Sequence, residues 1–265
     1  MRRFTRCGGS LLLLVLVARA AAAADTGAVL DYEVRYGPVQ VMALRTTARF
    51  GAEGYEASSE VRTVGFVALL FPWSATSDAR GVRADGSMRP QHYRTLGEYR
   101  GQHRRAVLDY DEGGRVHALV DPPAEADDRD PVPAGLQQAT VDPLTASLTA
   151  VASGCRGTLR IFDGRRRYDM QLTDLGDADT PASRYTVYSG RARHCRASIH
   201  PLAGFWRSQE AHQDERPSQI DFWLAAPRDG LIAVPVYLEL SAPRGTLSIH
   251  LAGATPLGET EARGG

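Results

Sequence analysis

The sequence contains no lysine: all 31 basic residues are arginine, set against 31 acidic ones. An arginine-only cation set reads as the codon bias of a GC-rich genome and not as chemistry. With no basic excess, the electrostatic footprint of a nucleic-acid binder is missing, and that class is excluded. Beyond residue 24 no stretch approaches the ~18 apolar residues of a spanning helix, so no transmembrane segment is expected after processing. There is no Gly-x-Ser-x-Gly elbow and no Gly-rich phosphate loop. None of His92, His103, His117, His194, His200, His212 and His250 forms a His-x-x-x-His or His-Glu-x-x-His pair. The acidic pair Asp127-Asp128 lies in a Pro-rich loop, where a solvated tip is the simple reading. No catalytic residue, metal site or cofactor is therefore expected.

What is present begins with a targeting signal. Arg2, Arg3 and Arg6 precede an apolar run, Leu11 to Val17, and then the small residues Ala20 to Ala24. That order is a secretory signal peptide with cleavage near Ala24, and its apolar core is about half the ~20 residues a membrane anchor needs. The expected division is a signal peptide over 1–24 and one antiparallel β domain over 25–265. Processing removes Arg2, Arg3, Arg6 and Arg19, so 27 basic residues face 31 acidic ones and the mature chain carries −4. It also removes Cys7, one of only three cysteines. Cys155 and Cys195 remain, and two cysteines in an oxidising compartment most often pair. A zinc site or a reactive thiol is the competing reading. His194 adjoins Cys195, but neighbours on a strand point to opposite faces and are badly placed to share one metal.

Alternation dominates the mature chain. Apolar residues take every second place in Asp31–Tyr36, Arg167–Leu172, Gln219–Leu224, Val234–Leu240 and Thr246–Leu251. Period two means strands with one buried face, as antiparallel sheets have. Asp111-Glu112-Gly113-Gly114, Asp163-Gly164 and Arg228-Asp229-Gly230 mark turns between neighbours. The expected fold is mainly β: a single large curved antiparallel sheet, or half-open barrel meander, of about ten to twelve strands with one or two short helices. Gly65–Trp73 is a dense apolar break, a short helix or a loop tucked against the sheet. Asp142-Pro143 has the N-cap and first-turn chemistry of a helix, with Leu144, Leu148 and Val151 on one face. Asp121–Gln138, rich in proline and acid, reads as a mobile crossover. Arg165-Arg166-Arg167 reads as a solvated turn, with an anionic envelope contact as the sharper alternative.

Four stretches carry a resemblance to a known family: Tyr32-Glu33-Val34-Arg35-Tyr36-Gly37; Val141-Asp142-Pro143-Leu144-Thr145; Cys155 with Arg160–Tyr168; and Cys195 with Pro201-Leu202-Ala203-Gly204-Phe205, followed by Val234-Pro235-Val236. Together they resemble the exported bacterial family called domain of unknown function 3108. The resemblance implies a periplasmic protein with a curved antiparallel sheet, similar in architecture to the half-open barrels of periplasmic lipoprotein carriers. It implies no catalytic residues.

Aromatics complete the reading. Phe66, Phe71 and Trp73 cluster at the first break, and Phe222 and Trp223 take opposite faces of one strand, so one of them meets solvent, a covering element or a ligand. The leading expectation is a non-enzymatic periplasmic protein that carries a lipid or lipoprotein ligand in the sheet's concavity. Phe66, Phe71, Trp73 and Trp223 are the expected lining or gating residues. An envelope scaffold binding a protein partner is the alternative, and an envelope-polymer hydrolase is a third reading.

Overall fold

The computed structural model describes residues 26–84, 87–99, 101–123, 126, 129–205, 218–242 and 245–257. The expected signal peptide, Asp127-Asp128, Trp206 and His212 lie outside the described residues. Among the described residues thirteen strands make one antiparallel sheet. The front half is a meander: β1 (Thr26–Tyr36), β2 (Val39–Phe50), β3 (Gly54–Thr63), β4 (Trp73–Ala84), β5 (Ser87–Tyr99), β6 (Gln102–Tyr110) and β7 (Val116–Asp121). The back half is a second meander: β8 (Gly157–Phe162), β9 (Arg167–Asp179), β10 (Arg191–Ala203), β11 (Gln219–Ala225), β12 (Val234–Ala242) and β13 (Gly245–Pro256). β1 pairs with β13 at the centre, so the spatial order runs β7 to β1, then β13 to β8. That is one more strand than the upper expectation, and three short helices: α1 (Gly65–Leu70), α2 (Ala134–Gln137) and α3 (Pro143–Ala152).

The halves meet through the crossover from β7 to β8, and this segment rolls the sheet up. Gly164, in the β8–β9 turn, lies so close to β6 that a Cβ there would come within 2.7 Å of the Ala106 Cβ. Arg165 donates to the carbonyls of Asp121 and Pro122 at the end of β7. Val141 pairs with Ile161 in a parallel bridge on the β8 edge. The three arginines are therefore structural. Arg166 pairs with Asp163 at 2.7 Å, and Arg167, only 2% exposed, donates to Leu136 O and to Asp169. The described part of the crossover is packed rather than free: Arg129 and Val132 are buried, and Arg129 donates to Gly204 O.

α3 lies inside the curve. Asp142 caps it by accepting from the amides of Leu144 and Thr145, and Pro143 fills the first turn. The fully buried residues are Thr145, Ala146 and Ala150; the expected Leu144–Leu148–Val151 face is half-buried, with Leu144 and Val151 packed against core clusters. Small side chains let the helix approach the sheet, and the Thr145 hydroxyl bonds Tyr55 at 2.7 Å. At its far end Cys155, with φ +66°, joins Cys195 of β10. The disulfide closes a loop with a sequence separation of 40, which destabilises the unfolded chain by about 4 kcal/mol in the chain-entropy treatment.

Two outcomes are expected. Replacing both cysteines by alanine lowers unfolding free energy by ~3–4 kcal/mol in urea titrations; a loss below about 1 kcal/mol would show that the bridge adds nothing to the packed fold. Asp142→Ala strands the helix N-terminus and lowers stability by ~2 kcal/mol, read in the same assay; an unchanged midpoint refutes the capping role.

Candidate functional site

Strand register divides the sheet's residues between two faces. The inner face, where α3 sits, carries Ala28, Ala48, Ala57, Ala79, Tyr93 and Leu108 in one lateral row. Most of this row is buried against α3, and burial pushes the Tyr93 phenol up to about 12. Nearer α1 the inner face changes character. One row runs Thr46, Ser59, Ser77 and Thr95, and the next Leu44, Val61, Ala75 and Gly97. All eight are only half-buried. Ser77 and Thr95 satisfy each other at 2.9 Å, which removes their demand for water.

On the same inner face the back half carries Ile249, Leu238, Leu240, Leu247, Ile220 and Met170, each half-buried. The concave side is thus mostly small side chains, with Leu44 and Val61, on the front half and larger aliphatic ones on the back half, and α3 covers one end. The cause is geometric. Thirteen strands enclose more space than side chains alone fill, α3 fills one part, and serine, alanine and glycine leave the rest open.

α1 stands at the open end. Thr63 ties it down, accepting from Trp73 N and donating to Phe71 O, both at 3.1 Å. Phe66 is 69% exposed and Leu69 79%. So this apolar break is a helix, but it is not tucked against the sheet. Of the sequence-nominated residues, Phe66 and Phe71 lie on this rim, and Trp73 is half-buried beside Thr63. A cleft of about 300 Å³ opens there, with Thr63, Ala68, Trp73 and Glu98 in its lining.

Trp223 is placed elsewhere. Phe222 shares the inner row Val34–Ile249–Leu238–Phe222–Cys195, so its neighbour Trp223 takes the outer face with Glu33, His250, Tyr237 and His194. It is a correction to the expected lining set: Trp223 is buried and stacks on His194, ring centroids 4.2 Å apart. Its covering element is the β9–β10 loop. Ser183 of that loop bonds His250 Nδ1 at 2.9 Å, Ser248 bonds Nε2 at 2.8 Å, and Tyr185 packs edge-on against the ring. Glu33 bonds Arg35, whose guanidinium covers Tyr185. Serine hydroxyls hold both ring nitrogens and the carboxylate goes to the arginine, so this cluster acts as a latch for the loop. Among the described residues no group of three His, Cys, Asp or Glu is placed to hold a metal ion. No described helix is long and apolar enough to cross a membrane.

The sequence matches the model of the family described as "Protein of unknown function (DUF3108)" over residues 31–252. The chain belongs to this family. No protein in the curated set matches the chain. One solved structure that aligns with the chain is a "Beta-barrel-like Protein of Domain of Unknown Function DUF1849 from Brucella abortus". It is 11% identical, with a TM-score of 0.47, and the match covers 88% of this chain and 97% of that one. The family description assigns no activity.

The latch has a pH consequence. Burial first, and then Arg35, hold the His250 pKa below its usual 6.5. The unfolded chain therefore takes up this proton before the folded chain does. The stability His250 contributes is complete above about pH 6.5 and is lost as pH falls. Denaturant titrations between pH 7.5 and 5 are expected to show a shallower decline for His250→Gln than for the wild type. Equal slopes would rule out His250 as the source.

Proposed function

We propose that this protein is an exported, non-catalytic periplasmic carrier that holds the acyl chain of a lipid or lipid-modified molecule in the trough of its concave face. The observation behind this reading is the half-buried apolar lining between Leu44, Val61 and Ala75 on one side and Leu238, Ile249 and Met170 on the other. A groove that keeps large aliphatic side chains partly wet gains free energy when an apolar chain displaces that water, by roughly 25 cal/mol per Å² covered. The self-satisfied Ser77–Thr95 pair removes the polar penalty such a chain would otherwise meet. The exposed Phe66, Leu69, Leu70 and Phe71 stand where a ligand would enter, and α3 sets how deep it reaches. The N-terminal signal and the buried disulfide suit an oxidising compartment.

The test combines native mass spectrometry of protein purified from the periplasm with titration of a fluorescent C16 fatty-acid probe. Co-purifying lipid and saturable probe binding are expected. Ala75→Phe fills the trough from its short-side-chain wall, so it is expected to weaken the probe by at least tenfold with the far-UV spectrum unchanged. Absence of both lipid and probe binding overturns the reading, and so does full binding by a folded Ala75→Phe protein. Recovery of one stoichiometric protein partner with no lipid favours the scaffold alternative instead.

A further inference from the structure

On the outer face of the front half, charges pair strand to strand. Arg45 meets Asp31 at 2.7 Å, Arg94 meets Asp78 at 2.9 Å and His92 meets Asp109 at 2.7 Å. The pairing lapses at one corner, beside the β2–β3 turn. Arg49, Glu56 and Arg80 stand in direct lateral register across β2, β3 and β4. Yet neither arginine makes a hydrogen bond or ion pair among the described residues. These groups surround a cleft of about 450 Å³, which Glu53 and Gln91 also line.

Gly81 forms part of the cleft's wall, and a Cβ there would come within 2.6 Å of the Tyr55 hydroxyl and 2.2 Å of Arg89 O. Directly opposite, the β4–β5 register shifts between Arg80 and Gly81, from His92 to Pro90, so Gln91 is the extra residue of a bulge. A bulge re-aims a side chain and recurs beside binding sites. The cleft therefore offers two guanidinium donors, an amide with both donor and acceptor, and two carboxylate acceptors, none of them spent on another.

We infer that this cleft is a binding site for an acidic saccharide. A sugar ring presents hydroxyls that donate and accept, which matches Glu53, Glu56 and Gln91. A carboxylate or phosphate on that ring matches the forked donors of Arg49 and Arg80, where charge-assisted bonds are shortest and strongest. The volume is in the range of a small-ligand pocket. The site lies at the end of the sheet away from α1, so it is separate from the trough and does not depend on the carrier reading.

Calorimetric titration of the mature protein at low ionic strength tests it. Trigalacturonic acid serves as the carboxylated sugar and glucose 6-phosphate as the phosphorylated one, with maltotriose and inorganic phosphate as controls. Saturable binding of at least one acidic sugar is expected, weakening as salt rises, with maltotriose silent and phosphate at least tenfold weaker. Arg49→Gln combined with Arg80→Gln is expected to cut that affinity by at least tenfold with the unfolding midpoint unchanged. Whichever acidic sugar binds identifies the anion. The inference falls if neither acidic sugar binds, if maltotriose binds equally, if phosphate matches the phosphosugar, or if the folded double variant retains full affinity.

Discussion

The architecture hangs on one buried carboxylate. Asp142 is fully buried and accepts from two backbone amides and from the Thr145 hydroxyl at 2.6 Å. Thr145 in turn bonds Tyr55 on β3, so a chain of three residues ties the crossover, the plug helix and the front wall together. Burial raises the Asp142 pKa, and the hydrogen bonds it accepts oppose that rise without cancelling it. Removing the carboxylate leaves the first turn of α3 without its cap inside the molecule, where water is a poor replacement.

From that anchor the interior divides. α3 fills one part of the concavity with alanine and threonine, and the disulfide fixes its far end to β10. The remainder stays open because the front wall alternates Ala57, Ser59 and Val61 on β3 with Ala75, Ser77 and Ala79 on β4. The same small side chains do two jobs. Beside the helix they permit close approach; away from it they leave the trough. An interior filled by large side chains would have needed no helix and would have left no groove.

The strands, the turns between them and the Asp142 cap are legible in the sequence because each has a local signature: period two, turn residues, and an N-cap followed by proline. The pairing of Cys155 with Cys195 is expected from number and from the compartment the N-terminal pattern suggests, and the disulfide is present. The trough is not legible in that way. Ala75 and Ser77 look like ordinary strand residues, and only the lateral rows of the folded sheet reveal that small residues face small residues across three strands. Trp223 misleads for a related reason. Alternation correctly sets it opposite Phe222, but which face is concave depends on the direction of curling, and the β9–β10 loop that covers Trp223 lies distant in sequence from β11. Leu144 and Val151 do pack against core clusters, but the deepest positions of α3 go to Thr145, Ala146 and Ala150, whose small side chains allow the close approach to Tyr55.

Curling itself is set by contacts across a gap rather than by a closed ladder. Between β7 and β8 the joining pieces are the Val141–Ile161 bridge, the donors of Arg165 and the seat of Gly164 against Ala106. Gly204, with φ +79°, sits so close to the Arg165 carbonyl that any side chain would collide with it. Every one of these contacts involves the crossover or the β8–β9 turn. Packing of the crossover and curvature of the sheet are therefore one event: α3 cannot seat unless the edges approach, and the edges have no reason to approach unless α3 seats. Val141–Thr145, Arg160–Tyr168 and Pro201–Phe205 fall on this seam, which explains how strands of such ordinary composition come to specify one cup instead of an open, extendable sheet.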